Sequence, residues 1–229
     1  RSDLTAPRTG VLHRGDAERL IRGMGRTGTP RRAEALIMSA IRETQEETGL
    51  LIGKAGAAQS STRSPAWRTF LDRGILPNLS AIRFVARAIT PPGRVRRFDT
   101  RFFVADAGHV ANPDELIANP AEELEEVRWI ALDSLDGIGM PTITETILAL
   151  LAERLREDPA LDRDVGAAIE HLDLADLIAI DGIVAVGQGP QHVPRADLLL
   201  LAGIDLQGRH TRLKGLLPGA GTTGQRFDG

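Results

Sequence analysis

The sequence RETQEETGL at residues 42–50 decides how the rest of the chain is interpreted. It lies at the end of a predicted helix that starts near Thr29 and Pro30, because threonine caps exposed amides and proline suits the first helical position. Gly49 is the residue type that ends helices in the left-handed conformation. We therefore expect one helix from about residue 29 to residue 48.

The three glutamates of this stretch fall on one side of the expected helix. Each residue advances by about 100°, so with Glu43 at zero, Glu46 falls near 300° and Glu47 near 40°. A separate packing stripe, between about 100° and 160°, consists of Ile37, Ile41, Thr44 and Thr48. One face therefore packs, while another concentrates negative charge in the last turns, where the helix dipole disfavours it.

Such a cluster needs a compensating cation, because carboxylates three and four positions apart repel one another. Arg42 can pair with Glu46 at i,i+4, but one arginine does not neutralise three acids. Mg²⁺ and Mn²⁺ prefer carboxylate oxygen and keep waters for substrate phosphates. The alternative is a solvated acidic helix face, which is the commoner case for an arbitrary Glu-x-x-Glu-Glu.

The flanking arginine and glycine favour the metal interpretation, because Arg-Glu-x-x-Glu-Glu-x-Gly-apolar resembles the Nudix box. Five fixed positions of this kind recur by chance about once in a million starts. Gly28 and Glu34 also satisfy the upstream spacing of the full pattern. Glu34 falls at about 180° on the helix, away from the cluster, so we interpret it as structural. The Pro-Gly-Gly turn that normally precedes the box is missing from this sequence.

The chain resembles most closely the coenzyme A diphosphatase branch of the family, which carries an insertion before the catalytic helix. The likeness covers roughly residues 10–157 and includes the segments 88–91, 97–103, 125–129 and 141–143. It implies an α/β (α+β) fold, a Nudix α/β/α sandwich with a mixed sheet that lacks its N-terminal strands. Three regions follow from the resemblance: an insertion-like segment at 1–28, a partial Nudix domain at 29–157, and an atypical, partly disordered extension at 158–229.

The resemblance also implies hydrolysis of a phosphoanhydride. Mg²⁺ or Mn²⁺ held by Glu43, Glu46 and Glu47 would polarise the phosphate and activate a water. Arg42, Glu46 and Glu47 are then the expected catalytic residues. The general base varies in position within the family, so it is either Glu47 or a residue of the acidic run Glu122-Glu123-Glu125-Glu126.

The expected substrate is a small molecule with a diphosphate, either coenzyme A or an acyl-CoA derivative, or else a nucleoside diphosphate derivative. Arg97 and Asp99 are candidate substrate contacts, with support of a turn as the alternative. The competing interpretation of the whole chain is a catalytically inactive Nudix-like binding module or a truncated fragment. A homodimer is left open.

Composition bounds the remaining function classes. A net charge of −3 over 229 residues argues against a nucleic-acid binder or a protein of anionic membranes. The absence of cysteine excludes thiolate metal sites and cysteine nucleophiles. The sequence has neither an apolar run of about 18 residues nor an apolar signal-peptide core at its start, so a cytoplasmic protein is expected.

Hydrophobic periodicity predicts the other elements. The expected helices lie at 16–24, 65–71, 143–156 and 172–180. The expected strands lie at 50–52, 81–89, 100–106, 126–131 and 183–186. We expect an exposed loop at 53–64 and disorder at 218–229. The region after residue 158 is either a small appended subdomain or the product of a shifted reading frame.

Overall fold

Helix α2 (Pro30–Thr48) is the element around which the described part of the chain is arranged. A computed structural model of the chain describes residues 2–58, 61–89, 99–115, 129–130, 142–159, 161, 172–173, 184–186 and 198–201. The other helices in these ranges are α1 (Arg14–Gly23), α3 (Pro65–Asp72) and α4 (Thr142–Glu157). The mixture of helices and sheets confirms the general α/β class that the sequence predicted.

Both ends of α2 form as the sequence predicts. The Thr29 side chain accepts a hydrogen bond from the Arg32 amide at 3.2 Å, and Pro30 occupies the first turn. Gly49 adopts the left-handed conformation with a φ of 75°, and its amide donates to the Gln45 carbonyl at 3.0 Å. The four residues of the packing stripe are fully buried: Ile37, Ile41, Thr44 and Thr48. The predicted helix is therefore confirmed in both its bounds and its buried face.

The larger sheet is built on the hairpin of β3 (Ile82–Ile89) and β4 (Asp99–Asp106), which pair antiparallel with an irregularity between Phe84 and Ala86. Its remaining strands are β5 (Trp129–Ile130), β6 (Leu172–Asp173), β7 (Val184–Val186) and β8 (Leu198–Leu201). The strand order is β5-β7-β8-β4-β3-β6. The pairs β3 with β6 and β5 with β7 are parallel, and β8 pairs antiparallel with both β4 and β7.

The smaller sheet corrects two sequence predictions. Residues 50–52 are buried but do not form the predicted strand, because the loop after β4 satisfies part of their backbone: the Leu51 amide donates to Asn112 Oδ1 at 2.7 Å. Ile52 makes only an isolated bridge to Val110. The strand begins three residues later than predicted, as β1 (Gly53–Ala55), which pairs antiparallel with β2 (Ile75–Pro77). The first residues of the predicted loop at 53–64 are therefore a strand.

The remaining predicted elements are largely confirmed. Helices α1, α3 and α4 match the predictions at 16–24, 65–71 and 143–156 to within two residues at each end. Within α3, Trp67 and Phe70 are buried. The predicted helix at 172–180 is wrong at its start, where β6 pairs with β3. Strand β7 falls within the predicted strand at 183–186. The disorder predicted at 218–229 lies outside the described residues.

One hydrophobic core joins the N-terminal segment to α2 and to the hairpin. It contains Leu12, Leu20, Ile37, Trp67 and Phe103, among others. The Phe84 and Phe103 rings pack across β3 and β4 with centroids 5.9 Å apart. No helix in the described ranges is both long and apolar enough to cross a bilayer. The proposed division at residues 28 and 158 stays a prediction.

Candidate functional site

The candidate site lies on the last turns of α2, on the side away from the buried stripe. Helical geometry brings Glu43, Glu46 and Glu47 to this side, as the sequence predicted. Glu43 is buried, whereas Glu46 and Glu47 are half-buried. The cluster is therefore neither a solvated helix face nor part of the core, but lies at the boundary between the two.

Arg42 connects the carboxylates of this cluster. Its Nη2 donates to Glu43 Oε1 at 3.0 Å, and its Nη1 donates to Glu46 Oε2. The Nε donates to Asp3 Oδ1 at 3.1 Å. One guanidinium thus forms ion pairs with three acids, although only the Glu46 pair was expected from the sequence.

Two members of this network were not predicted. Asp3 lies in a short 3-10 turn and also accepts from the indole Nε1 of Trp67 at 3.0 Å. Nothing in the sequence signals this contact, because Asp3 and Arg42 are 39 residues apart. Ser39 donates to Glu43 Oε1 at 3.3 Å and accepts from Arg42 Nη2 at 3.0 Å. Its position four residues before Glu43 was the signal that could have identified it.

The surroundings favour the charged form of Arg42. Burial is the largest single influence and lowers the pKa of this guanidinium, but the charges of Asp3, Glu46 and Glu43 together raise it above its usual range. The carboxylates therefore hold a permanent cation among them. In chemical terms, Arg42 serves as the internal counter-ion of the cluster.

The fit of a divalent metal can be tested against this arrangement. Carboxylate oxygens are the ligands that Mg²⁺ and Mn²⁺ prefer. In the part of the chain that the structure describes, however, no group of three or more His, Asp or Glu side chains is placed so that it could hold a metal ion. Arg42 already donates to one oxygen of Glu43 and to one oxygen of Glu46. The donor chemistry suits a metal, but the present arrangement does not.

The other candidate residues lie apart from this cluster or outside the described ranges. Glu34 accepts from Arg8 Nη2 at 2.7 Å, a contact near the opposite end of α2. Asp99 opens β4 and accepts from Arg87 Nε at 2.6 Å and from Arg101 Nη2 at 3.2 Å. Arg97 and the acidic run at residues 122–126 lie outside the described residues.

Asp99 is already engaged by its own strands. Burial, the largest single influence, raises the pKa of its carboxyl, but the hydrogen bond from Arg87 and the charges of Arg101 and Arg87 together outweigh it, so the net shift is downward. These contacts match the supporting role in the hairpin that was the alternative to a substrate contact.

Comparison with protein-family models, with curated proteins and with solved structures finds no match to this chain. A functional assignment therefore depends on the residues of α2 and their geometry.

Proposed function

We propose that this chain is a Nudix-type hydrolase that cleaves a diphosphate linkage in a reaction dependent on Mg²⁺ or Mn²⁺. One observation carries the proposal: α2 presents Glu43, Glu46 and Glu47 in its last turns, opposite a fully buried stripe, and ends at a left-handed Gly49. The proposed substrate is a small molecule with a diphosphate, first coenzyme A or an acyl-CoA derivative, then a nucleoside diphosphate derivative.

The described contacts give each side chain a defined part in such a site. The buried stripe fixes the rotation of α2, so the carboxylates cannot turn into the core. Ser39 orients Glu43, and Arg42 holds both Glu43 and Glu46. Ser39 and Arg42 are therefore positioning residues. Glu47 is half-buried and remains the proposed general base on this helix. A divalent cation would compete with Arg42 for the carboxylates of Glu43 and Glu46.

A second candidate is a non-catalytic Nudix-like module. The ion pairs of Arg42 favour it, since they satisfy two of the three carboxylates without any metal. It is also favoured by the finding that the described residues include no group arranged to hold a metal. In this case, α2 keeps the family's residues as a structural element.

One assay distinguishes the two candidate functions. Hydrolysis of a panel of coenzyme A and nucleoside diphosphate derivatives is measured, with Mg²⁺ or Mn²⁺ and without either, as the appearance of the two phosphomonoester products. The hydrolase proposal predicts metal-dependent product formation, and Glu47→Gln or Glu46→Gln lowers the rate by at least about 100-fold. Glu34→Gln is the matched control, because it removes one carboxylate from the same helix outside the cluster, and we expect its rate to be unchanged.

A binding measurement accompanies the assay. A cation that binds only the folded chain raises the melting temperature by mass action, so Mn²⁺ is expected to stabilise the parent chain and Glu34→Gln, but not Glu47→Gln. Circular dichroism establishes that each variant is folded. A folded parent chain that neither hydrolyses any member of the panel nor gains stability from Mn²⁺ would favour the non-catalytic candidate instead.

A further inference from the structure

A second charged cluster lies where α1, β3 and α4 meet, and it shares no residue with the acidic site. Asp16 is completely buried in α1 and accepts from Arg19 Nη2 and from Arg83 Nε, each at 2.8 Å. The same carboxylate accepts from the Phe84 amide at 3.3 Å. Arg154 of α4 approaches this group and donates from Nη1 to the Phe84 carbonyl at 3.0 Å. Three arginines from three elements therefore converge on one buried aspartate.

One edge of the Arg154 guanidinium is not engaged by the Phe84 carbonyl, which accepts from Nη1. Its Nε and Nη2 atoms are buried, and among the described residues neither has a hydrogen-bond acceptor. The N–H groups of these two atoms point the same way and form the side-on edge of the guanidinium, which matches two oxygens of a carboxylate or phosphate. A buried donor without an acceptor costs its full desolvation penalty. This edge is therefore a pair of parallel donors that has no acceptor among the described residues.

The net charge of this cluster also favours an anion beside Arg154. In the described part of this cluster, Arg19, Arg83 and Arg154 stand against Asp16 and the buried Asp158, an excess of one positive charge. Burial, the largest influence, lowers the pKa of Arg154, and Arg19 and Arg83 lower it further, against the opposing effect of Asp16 and Asp158. The surroundings thus disfavour the cation, and an added anion would reverse this.

We infer that the side-on edge of Arg154 is a binding site for a phosphate group, either as inorganic phosphate or carried by a small molecule. Two phosphate oxygens accept from Nε and Nη2, and the remaining oxygens leave negative charge facing Arg19 and Arg83. A carboxylate fills the same edge but has no further oxygen for the neighbouring arginines, which is why phosphate is the better match. This site uses none of the residues of the proposed hydrolase site.

The test is the melting temperature of the full chain, measured without divalent cations, against inorganic phosphate, glycerol phosphate, acetate and chloride at matched ionic strength. We expect a saturable rise of roughly 3–6 °C at about ten times the Kd of phosphate. Acetate and chloride should give markedly smaller changes. A lower Kd for inorganic phosphate or for glycerol phosphate identifies which source the site prefers, and either supports the proposal.

Three variants assign the effect to Arg154. Arg154→Gln should abolish the phosphate-dependent rise, and Arg154→Lys should reduce it, since lysine keeps the charge but lacks the two-donor edge. Arg156→Gln is the matched control, because it removes an exposed arginine from the same helix and should leave the rise intact. Without phosphate, Arg154→Gln should melt no lower than the parent chain, because the incompletely satisfied charge is gone.

Several results would overturn the site. One is stabilisation of the parent chain by phosphate that is no greater than stabilisation by chloride. Another is stabilisation of Arg154→Gln and Arg154→Lys by phosphate that equals that of the parent. Equal stabilisation by acetate and phosphate would contradict the phosphate assignment. Because no divalent cation or diphosphate is present, failure here is independent of failure of the proposed hydrolase.

Discussion

At the residue scale, Asp99 illustrates how neighbouring charges fix the state of a side chain. Arg87 donates to both of its oxygens, at 2.6 and 2.8 Å, and Arg101 approaches at 3.2 Å. Arg101 is itself almost fully buried, so this carboxylate compensates a charge that water does not reach. The group therefore links the start of β4 to β3 through charge as well as through the backbone.

The lowered pKa of Asp99 predicts a definite dependence of stability on pH. A carboxyl whose pKa is lower in the folded chain stabilises the fold above its ordinary pKa of about 3.9, and this contribution is lost as the pH falls through the folded value. Asp99→Asn should therefore lower the free energy of unfolding at pH 7, and the deficit should shrink in acid. Urea unfolding at pH 7 and in acid measures this difference in the free energy of unfolding. Asp72→Asn, an exposed change on α3, is the control, and an undiminished Asp99→Asn deficit in acid would contradict the linkage.

At the scale of elements, α2 was predictable because its determinants are local. Thr29, Pro30 and Gly49 specify its ends within the sequence itself, and its apolar positions repeat at helical spacing. The contact of Asp3 with Arg42 was not predictable, since it depends on how the N-terminal turn packs on α2. Strands such as β1 are too short to show alternation, so only their pairing with β2 reveals them.

The end of α2 gives a prediction at this scale. Gly49 has a φ of 75°, where a side chain crowds the following carbonyl. Gly49→Ala should therefore cost about 1 kcal/mol of the free energy of unfolding. Gly49→Asn should cost less, because asparagine tolerates the left-handed region better than alanine. Urea denaturation of the three chains measures the order, and equal stability of Gly49→Ala and the parent would show that this cap is unimportant.

At the scale of the whole molecule, the sheet draws together distant parts of the sequence. Strand β4 lies between β3 and β8, and β8 comes from the region after residue 158, whose composition gave no prediction of a strand at that place. The register pairs Phe103 with Leu201 and Asp106 with Leu198. The later region is thus paired with the hairpin, whichever origin its sequence has.

This pairing predicts the pattern of amide exchange along β4. Successive amides of a strand point to opposite neighbours, and an edge strand leaves every second one unpaired. With β3 on one side and β8 on the other, every amide from Phe103 to Ala105 should exchange slowly in a hydrogen–deuterium experiment followed by NMR. Rapid exchange of alternate amides would show that β8 does not pair with β4 in solution. The amides of β3 that face β4 provide the internal reference.

The hydrogen bond from Trp67 to Asp3 gives the protein a built-in optical signal. The chain has only two tryptophans, and the indole of Trp67 donates to the same carboxylate oxygen that Arg42 contacts. Any event that draws Arg42 or Asp3 out of the acidic cluster changes the polarity around this indole and shifts its emission. With Trp129 replaced by phenylalanine, the intrinsic fluorescence of the unlabelled protein follows the state of the cluster in real time.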